Sequence, residues 1–427
     1  MNNDLMTKIV SLCKRRGFIF PSSEIYGGFG SCYDYGPLGV ELKNNIKNEW
    51  WKEMTRRHEN IVGLDAAILM SPKVWQASGH LMAGFADPLV ECKKCHHRFR
   101  KDHLKNEKCS DCGGELTEEK KFNLMMKTFV GPVEDEAAVA YLRAETCQGI
   151  YVNYKNVLDS ARLKIPFGIA QIGKAFRNEI TPGNFTYRMR EFEQMEMQFF
   201  IKPRESKKWF DFWKEERMKW YLNLGIKKEN LRFTEHKKEE LAHYAKAGID
   251  IEYNFPFGWS ELEGIHDRGD WDLSNHGEHS GKDLSYFDDE MKEKFIPHII
   301  ETSAGADRSM LAFLVENYRE EEKRVYLNFT PVLSPYKVAV FPLLANKPAL
   351  VEKAREVYQM LKTNDLTVIF DDRGNIGKRY YSQDEIGTPF CITIDFQTLE
   401  DETVTVRDRD TMKQERVKVG ELISLFS

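Results

Sequence analysis

The chain has 427 residues, a formal net charge of −5, and 41% apolar and 12% aromatic side chains. That length allows roughly two to four domains of ~100–200 residues, and that composition can fill large cores, so general disorder is excluded. The acidic balance, with a pI near 6.2, excludes a nucleic-acid contact based on overall charge; any such contact has to rest on a local patch.

The opening stretch, MNNDLMTKIVSLCKRRGF, reads as a helix with Leu5, Ile9 and Leu12 on one face. Its basic cluster follows the apolar positions instead of preceding them, so no signal peptide is expected. No apolar run approaches the ~18 residues of a membrane span. In YDYGPLGVELKNNIKNEWW the Gly36-Pro37 pair turns the chain, and Leu38, Leu42, Ile46 and Trp50 recur every four residues as an amphipathic helix. Residues 92–112 form a cysteine module, and residues 120–200 read as strand-rich. Residues 207–224, with Trp209, Phe212, Trp213 and Trp220, read as one packed helix, and MLAFLVENY from Met310 as a buried one. Between them, residues 251–305 are rich in Gly, Asp and His.

Pro331 and Pro335 mark a linker. Beyond it a strand (KVAVFPLL), a helical stripe (Leu350, Val351, Ala354, Val357, Tyr358, Leu361) and two further strands (LTVIF, FCITI) predict a small α/β domain with a partly parallel sheet. No internal repeat interrupts this order.

Of eight cysteines, Cys92, Cys95, Cys109 and Cys112 are clustered and Cys13, Cys32, Cys147 and Cys391 are scattered. Without a secretory signal this usage fits a reducing, cytoplasmic setting. Two C-x-x-C knuckles thirteen residues apart can give four thiolates to one tetrahedral Zn2+, a structural site with no open position. Lys93, Lys94, Arg98, Arg100, Lys101, Lys105 and Lys108 surround them against Asp102 and Glu107. This patch is either a polyanion contact or a solvated basic surface.

The densest line is FRNEITPGNFTYRMREFEQME, residues 176–196. Thr181-Pro182-Gly183-Asn184 has turn chemistry, which predicts two antiparallel strands. Met195, Met197 and Phe199 alternate with Gln194, Glu196 and Gln198, one apolar face and one polar. Arg177, Arg188 and Arg190 flank the turn, and guanidinium groups in that density suit phosphate.

This line resembles motif 2 of the class II aminoacyl-tRNA synthetases. GADRSMLAFL (305–314) resembles motif 3, and YGPLGVELKNNIKNEWW is similar to the dimer-forming motif 1. RAETCQGIY (143–151), FRNEITPGNF, REFEQME, WSELEGI (259–265) and ETSAGADR (301–308) together resemble the homodimeric glycyl-tRNA synthetases, from about residue 15 to the C-terminus. The resemblance implies an α+β catalytic core with an antiparallel sheet flanked by helices over 1–330. A zinc-ribbon-like insert at 91–127 and a helical insertion at 201–250 would interrupt it, with an α/β anticodon-binding domain at 335–427. It implies ATP-dependent attachment of glycine to tRNA(Gly) through a glycyl-adenylate, by a homodimer away from membranes.

Residue by residue, the resemblance implies that Arg177 meets the α-phosphate of ATP and Arg308 the terminal one, and these two are the expected catalytic residues. Asn178 and Glu179 lie toward adenine. Tyr187, Arg188, Met189, Arg190 and Glu191 hold the triphosphate, with Phe192 stacked on adenine. Glu261 and the Leu262 backbone belong to the ATP–Mg2+ region, and Gly305, Ala306 and Asp307 lead to Arg308. For glycine it implies the carboxylates Glu145, Glu196 and Glu301 around the amine, with Arg100 and Ser303 nearby. Phe192, Glu193, Gln194, Met195, Thr302, Ala304 and Gly305 complete that site. A filled pocket excludes larger amino acids at ~1–3 kcal/mol or more, so no editing domain is expected.

Ala144 stands where the family has proline, Cys147 where alanine is expected, and Thr302 where proline is common. These differences put the pocket backbone geometry in question but remove no charge. His266, His276 and His279 in GIHDRGDWDLSNHGEHSG are expected in a polar loop beside the site, a second metal centre being the lesser alternative. A binding-only relative on the same fold, such as the accessory subunit of mitochondrial DNA polymerase, has no reason to keep Arg177, Glu179, Arg308 and the three carboxylates together. Those three carboxylates also favour glycine over the substrate of another class II enzyme.

Overall fold

The computed structural model describes residues 3–82, 85–104, 106–180, 183–236, 246–364 and 366–426. The first two helices are α1 (Asn3–Arg16) and α2 (Pro37–Arg56). Pro37 suits the first turn of α2, where its missing N–H leaves nothing unpaired. Gly36 before it is required by close approach: a Cβ there would lie 2.4 Å from the Gly17 carbonyl oxygen. Leu38, Leu42, Ile46 and Trp50 are all buried, as their spacing predicts.

The centre is a seven-stranded sheet. Its strands are β1 (Ile61–Gly63), β2 (Phe167–Phe176), β3 (Glu191–Ile201), β4 (Leu231–Glu235), β5 (Ala247–Phe255), β6 (Gly258–Gly269) and β7 (His298–Gly305). The spatial order is β4-β5-β6-β7-β3-β2-β1, antiparallel except for the β1–β2 pair. Met195, Met197 and Phe199 of β3, Ile249 and Ile251 of β5, and Ile300 and Ala304 of β7 share one core with α2, α4 (Ser206–Asn223) and α6 (Ala306–Asn317). On the opposite face α3 (Cys147–Ser160) and α5 (Trp271–Ser280) cover one end. The rest of that face carries the site described below.

The helical insertion expected at 201–250 is helical only in its first half. Trp213, Trp220 and Tyr221 of α4 enter the main core. Arg217 makes a buried two-point pair with Glu263 of β6, at 2.6 and 3.3 Å. Burying two charges is costly unless they are paired this fully, so the pair fixes α4 over the sheet. After α4 the chain adds β4 and β5 to the central sheet, because Leu231, Ile249 and Ile251 need the same core. Residues 237–245 of this insertion lie outside the described residues. The strand-rich reading of 120–200 overlooked α3, whose polar residues Gln148 and Asn153 mask its apolar stripe.

The C-terminal sheet has strands β8 (Val338–Pro342), β9 (Val368–Phe370), β10 (Phe390–Ile394), β11 (Thr403–Asp408) and β12 (Gln414–Lys418), in the order β9-β8-β10-β11-β12. The first three are parallel, with α7 (Pro348–Lys362) and α8 (Ile376–Ile386) as their crossovers. The segment expected as a linker is packed instead. Phe329 and Leu333 are fully buried, and Asn45 of α2 donates to the carbonyls of Leu333 and Ser334 at 3.2 and 3.0 Å. Asp384 of α8 is buried and accepts from Arg407 at 2.7 and 2.9 Å and from Arg324 at 3.0 Å, fastening this domain to the core.

Candidate active site

Period-two alternation decides which side chains reach the open face of the sheet. On β3 these are Phe192, Gln194 and Glu196, and on β7 they are Glu301, Ser303 and Gly305. On β6 a bulge opposite Ile251/Glu252 shifts the register. Leu262 enters the core and Glu263 meets Arg217, while Glu261, His266 and Arg268 face the pocket. Bulges commonly re-aim side chains beside active sites. The cavity holds ≈ 340 Å³ and has two chemically distinct halves.

The first half is acidic. Glu196 accepts from the hydroxyls of Thr146 and Ser303, the latter at 2.8 Å, and from Gln194 Nε2 at 3.2 Å. Glu301 accepts from Gln198 at 2.9 Å and from Arg268 at 3.1 and 3.3 Å, and Arg268 also grips Asp272 at 2.7 and 2.9 Å. Glu145 accepts from Gln148 at 2.9 Å and lies 3.4 Å from His80. Burial works against ionising all three. For Glu301 the Arg268 and His266 charges outweigh burial and hold it at about 2. For Glu145 the His80 and Arg268 charges outweigh burial and hold it well below the usual carboxylate range. Glu196 has no cation of its own, and burial with repulsion from Glu301 and Glu145 pushes it up to about 7. The cluster is short of one positive charge.

The second half is cationic. Arg177 lies between the Phe85 and Phe192 rings, 5.6 and 5.4 Å from their centroids, with Nε donating to the Ala144 carbonyl at 3.1 Å. Ala144, at the position where proline was expected, thus holds the arginine through its backbone. Arg188 reaches Glu179 at 3.3 Å. Arg308 lies over the Tyr187 ring at 4.4 Å and pairs with Glu261 at 3.0 Å, which helps hold the Glu261 carboxyl below its ordinary value. Among the described residues nothing accepts from the terminal nitrogens of Arg177. Thr181 and Pro182 of the predicted turn lie outside the described residues, but the Arg177 amide donates to the Arg190 carbonyl at 2.9 Å across the two limbs.

Several expected site residues turn elsewhere. Glu193 pairs with Lys43 and Lys47 at 3.0 Å on the far face, where Met195, Thr302, Ala304, Leu262 and Ala306 are also buried. A contiguous run on a strand cannot place every side chain in one pocket. Glu191 pairs with Lys174 at the surface. Asp307 lines the cavity, yet its carboxylate is taken by Lys43, Tyr35 and the Glu193 amide. Arg190 donates to the carbonyls of Gly30 and Glu179 at 2.8 and 3.4 Å, so it closes the hairpin and leaves the pocket to Arg177 and Arg188. The Asn178 amide bonds Leu124 at 2.9 Å, joining motif 2 to the cysteine insert. Arg100, from that insert, does line the cavity, held by Asp87 at 3.1 Å and Asp102 at 2.8 Å.

His80, Thr186, Gln198, His266 and Arg268 belong to the site or its support but were not singled out as site residues by sequence reading. Alternation through GIHDRG would have placed His266 and Arg268 on one strand face; His80 carries no such signal. The histidines expected in one polar loop do not converge. His276 is buried in helix α5 against Gln148 at 2.8 Å, and His279 bonds the Asn275 carbonyl at 2.9 Å in the same helix. Cys147 is buried and donates to Glu145 at 3.0 Å.

The four clustered cysteines meet as the spacing predicts, with all sulfurs within 4.8 Å of one another. Cys92–Cys112 and Cys95–Cys109 are 3.5 and 3.6 Å apart. Tetrahedral Zn2+ at ~2.3 Å from each sulfur requires about 3.8 Å between sulfurs. The amides of Lys94 and Cys95 point at Cys92 Sγ from 3.4 and 3.5 Å, and a Cβ on Gly114 would strike that sulfur at 2.9 Å. The residues fit the metal. The flanking cations are largely paired: Lys93 with Glu115, Arg98 with Glu91 and Lys101 with Glu119, at 3.0–3.2 Å. Lys105 lies outside the described residues.

Residues 132–318 match the tRNA synthetase class II core domain (G, H, P, S and T), and residues 337–427 match the anticodon binding domain. The chain is 57% identical to a glycine–tRNA ligase of Treponema denticola, over 98% of this chain and 96% of that protein. It is 55% identical to one of Borreliella burgdorferi (98% and 96%) and 53% identical to one of Thermobifida fusca (98% and 97%). With its antiparallel core, two-sided pocket and C-terminal α/β domain, the chain belongs to the glycine–tRNA ligase family of class II aminoacyl-tRNA synthetases.

Proposed function

We infer that this chain attaches glycine to tRNA(Gly) with ATP, and that the two halves of the pocket divide the work. The carrying observation is the acidic half, with three converging carboxylates and one positive charge too few. A glycine ammonium supplies that charge between Glu145, Glu196 and Glu301. The glycine carboxylate then faces the cationic half. One of its oxygens attacks the α-phosphorus of ATP, the bond to the β-phosphate oxygen breaks, and pyrophosphate leaves. In the second step a terminal ribose hydroxyl of tRNA attacks the glycyl carbonyl carbon, AMP leaves, and the hydroxyl proton passes to the leaving phosphate. Neither step needs a protein nucleophile. Catalysis lies in positioning and in donors aimed at growing negative charge.

Arg177 is placed for the α-phosphate, Arg188 and Arg308 for the outer ones, and Phe192 for adenine. Mg2+, when bound, supplies charge neutralisation between phosphates. Glu261 is the carboxylate suited to hold it, since phosphates drawn to Arg308 would release its ion pair. The C-terminal domain reads the anticodon. The homodimer is assigned to the motif 1 side of the molecule, where Ile25, Tyr26 and Phe29 are 89%, 87% and 62% exposed. No helix among the described residues is long and apolar enough to cross a membrane, and a tRNA-charging role places the chain in the cytoplasm.

ATP–pyrophosphate exchange tests the reading. Exchange is expected with glycine and not with alanine or serine, and the converse result overturns it. For the cysteine module, purified unchelated protein is expected to carry one zinc per chain. Stripping it should open residues 92–112 to protease, because metal binding and folding of such knuckles are coupled. Zinc well below one equivalent, or unchanged protease resistance after removal, counts against the structural role.

A further inference from the structure

His266 meets different partners from the histidines near it in sequence. His236, just after β4, Asp250 of β5 and His266 of β6 come from three adjacent strands, and one donor atom of each lies within 4.8 Å of the others. His236 Nε2 is 2.9 Å from Asp250 Oδ2, and the two imidazole centroids are 5.6 Å apart. The register makes the convergence possible: Asp250 lies opposite Gly264 and Gly248 opposite His266. A Cβ on Gly264 would lie 2.7 Å from His266 Cε1 and 3.6 Å from Asp250 Oδ1, so glycine keeps this space open.

We propose that His236, Asp250 and His266 form a second metal site, distinct from the four cysteines, for a divalent transition-metal ion such as Zn2+. Two imidazoles and a carboxylate are a donor set for such an ion and leave positions for water. Ligands about 2.0–2.1 Å from the metal sit roughly 3.3 Å apart, so donors already within 4.8 Å of one another can close on an ion by side-chain rotation. The surroundings of His266 suit a ligand. Its Nδ1 lies 3.2 Å from Glu301 Oε1, off the line of a hydrogen bond, and it is otherwise unpartnered among the described residues. Metal-ligating histidines usually donate their other ring N–H to a carboxylate, which fixes tautomer and ring orientation. An ion on the other nitrogen of His266 would put the proton on Nδ1 and aim it at Glu301. The claim needs none of the steps assigned to glycine or ATP.

The full chain, with its cysteine site loaded with zinc, is titrated with Co2+. After desalting, bound cobalt is measured by elemental analysis and its visible spectrum is recorded. One equivalent of cobalt with weak d–d bands and no thiolate charge-transfer band is expected. His236→Ala and Asp250→Asn are each expected to weaken it by at least about tenfold while zinc content stays at one equivalent. Asp250→Asn preserves shape, so it decides the matter if His236→Ala misfolds. No cobalt binding, binding unchanged by Asp250→Asn, or a thiolate band from uptake elsewhere would each overturn the proposal.

Discussion

Arg177→Ala is expected to lower glycine-dependent ATP–pyrophosphate exchange by about 10²–10³-fold, the scale seen when one preorganised donor to a developing oxyanion is removed. The reason is the way the side chain is held. Two aromatic faces sandwich the guanidinium, and the Ala144 carbonyl fixes Nε, leaving its outer nitrogens for the substrate. A donor fixed before the substrate arrives needs no reorganisation when charge builds on the α-phosphate. Because the side chain makes only one hydrogen bond to the described protein, its loss should leave the melting temperature within a few degrees of wild type. Arg190→Ala provides the contrast: its donors are spent on Gly30 and Glu179, so it should loosen the hairpin and act mainly on stability. Near-normal exchange by Arg177→Ala would remove the role assigned to the cationic half.

Glu196→Gln is expected to raise the KM for glycine by roughly 30-fold or more while leaving the KM for ATP nearly unchanged. Truncating one partner of a buried, hydrogen-bonded charge pair typically costs ~2–5 kcal/mol, and in this reading the lost negative charge faces the glycine ammonium and not ATP. The same residue sets a pH dependence. With its carboxyl pushed up to about 7 by burial, Glu301 and Glu145, Glu196 is mostly protonated at pH 6 and mostly ionised at pH 7.5. In this reading glycine binding needs the ionised form, so the glycine KM of wild type should fall roughly eightfold from pH 6 to 7.5, and that of Glu196→Gln should not.

Linkage gives the matching sign for stability. A carboxyl raised in the fold stabilises the empty protein below its unfolded pKa, and that contribution is lost as pH rises through about 7. Glu301, depressed to about 2, acts in the opposite sense, and its contribution is lost only as pH falls toward that value. Glycine should therefore raise the melting temperature more at pH 7.5 than at pH 6. A flat glycine KM across that range in wild type would show that Glu196 does not face the amine.

Much of this was legible in the chain. Helical spacing placed Leu38, Leu42, Ile46 and Trp50 in the core, knuckle spacing brought four cysteines together, and alternation put Glu196 opposite Met195 and Met197. These are local regularities, set by periods of 3.6 and 2 residues and by turn chemistry. The motifs carried the family because each is a short continuous run.

Other features depend on long-range contacts. Residues 201–250 were expected as a helical insertion, but β4 and β5 join the central sheet because their apolar residues share its core. The 328–337 segment has the prolines of a linker, yet Phe329 and Leu333 are buried beneath the first domain. Glu193 and Asp307 have charges suited to a site, but Lys43, more than a hundred residues earlier in the chain, claims both. His80 and Arg268 are invisible as partners of Glu145 and Glu301 until strands and helices far apart in sequence lie side by side.

The family, most of the elements, and the residue types suited to phosphate, amine and zinc are written in local pattern and composition, and so could be read from the chain alone. Which charges neutralise one another, and which are left open to the pocket, emerges only from the folded chain. That depends on burial and on partners at distances of about 3 Å, which no spacing along the chain specifies.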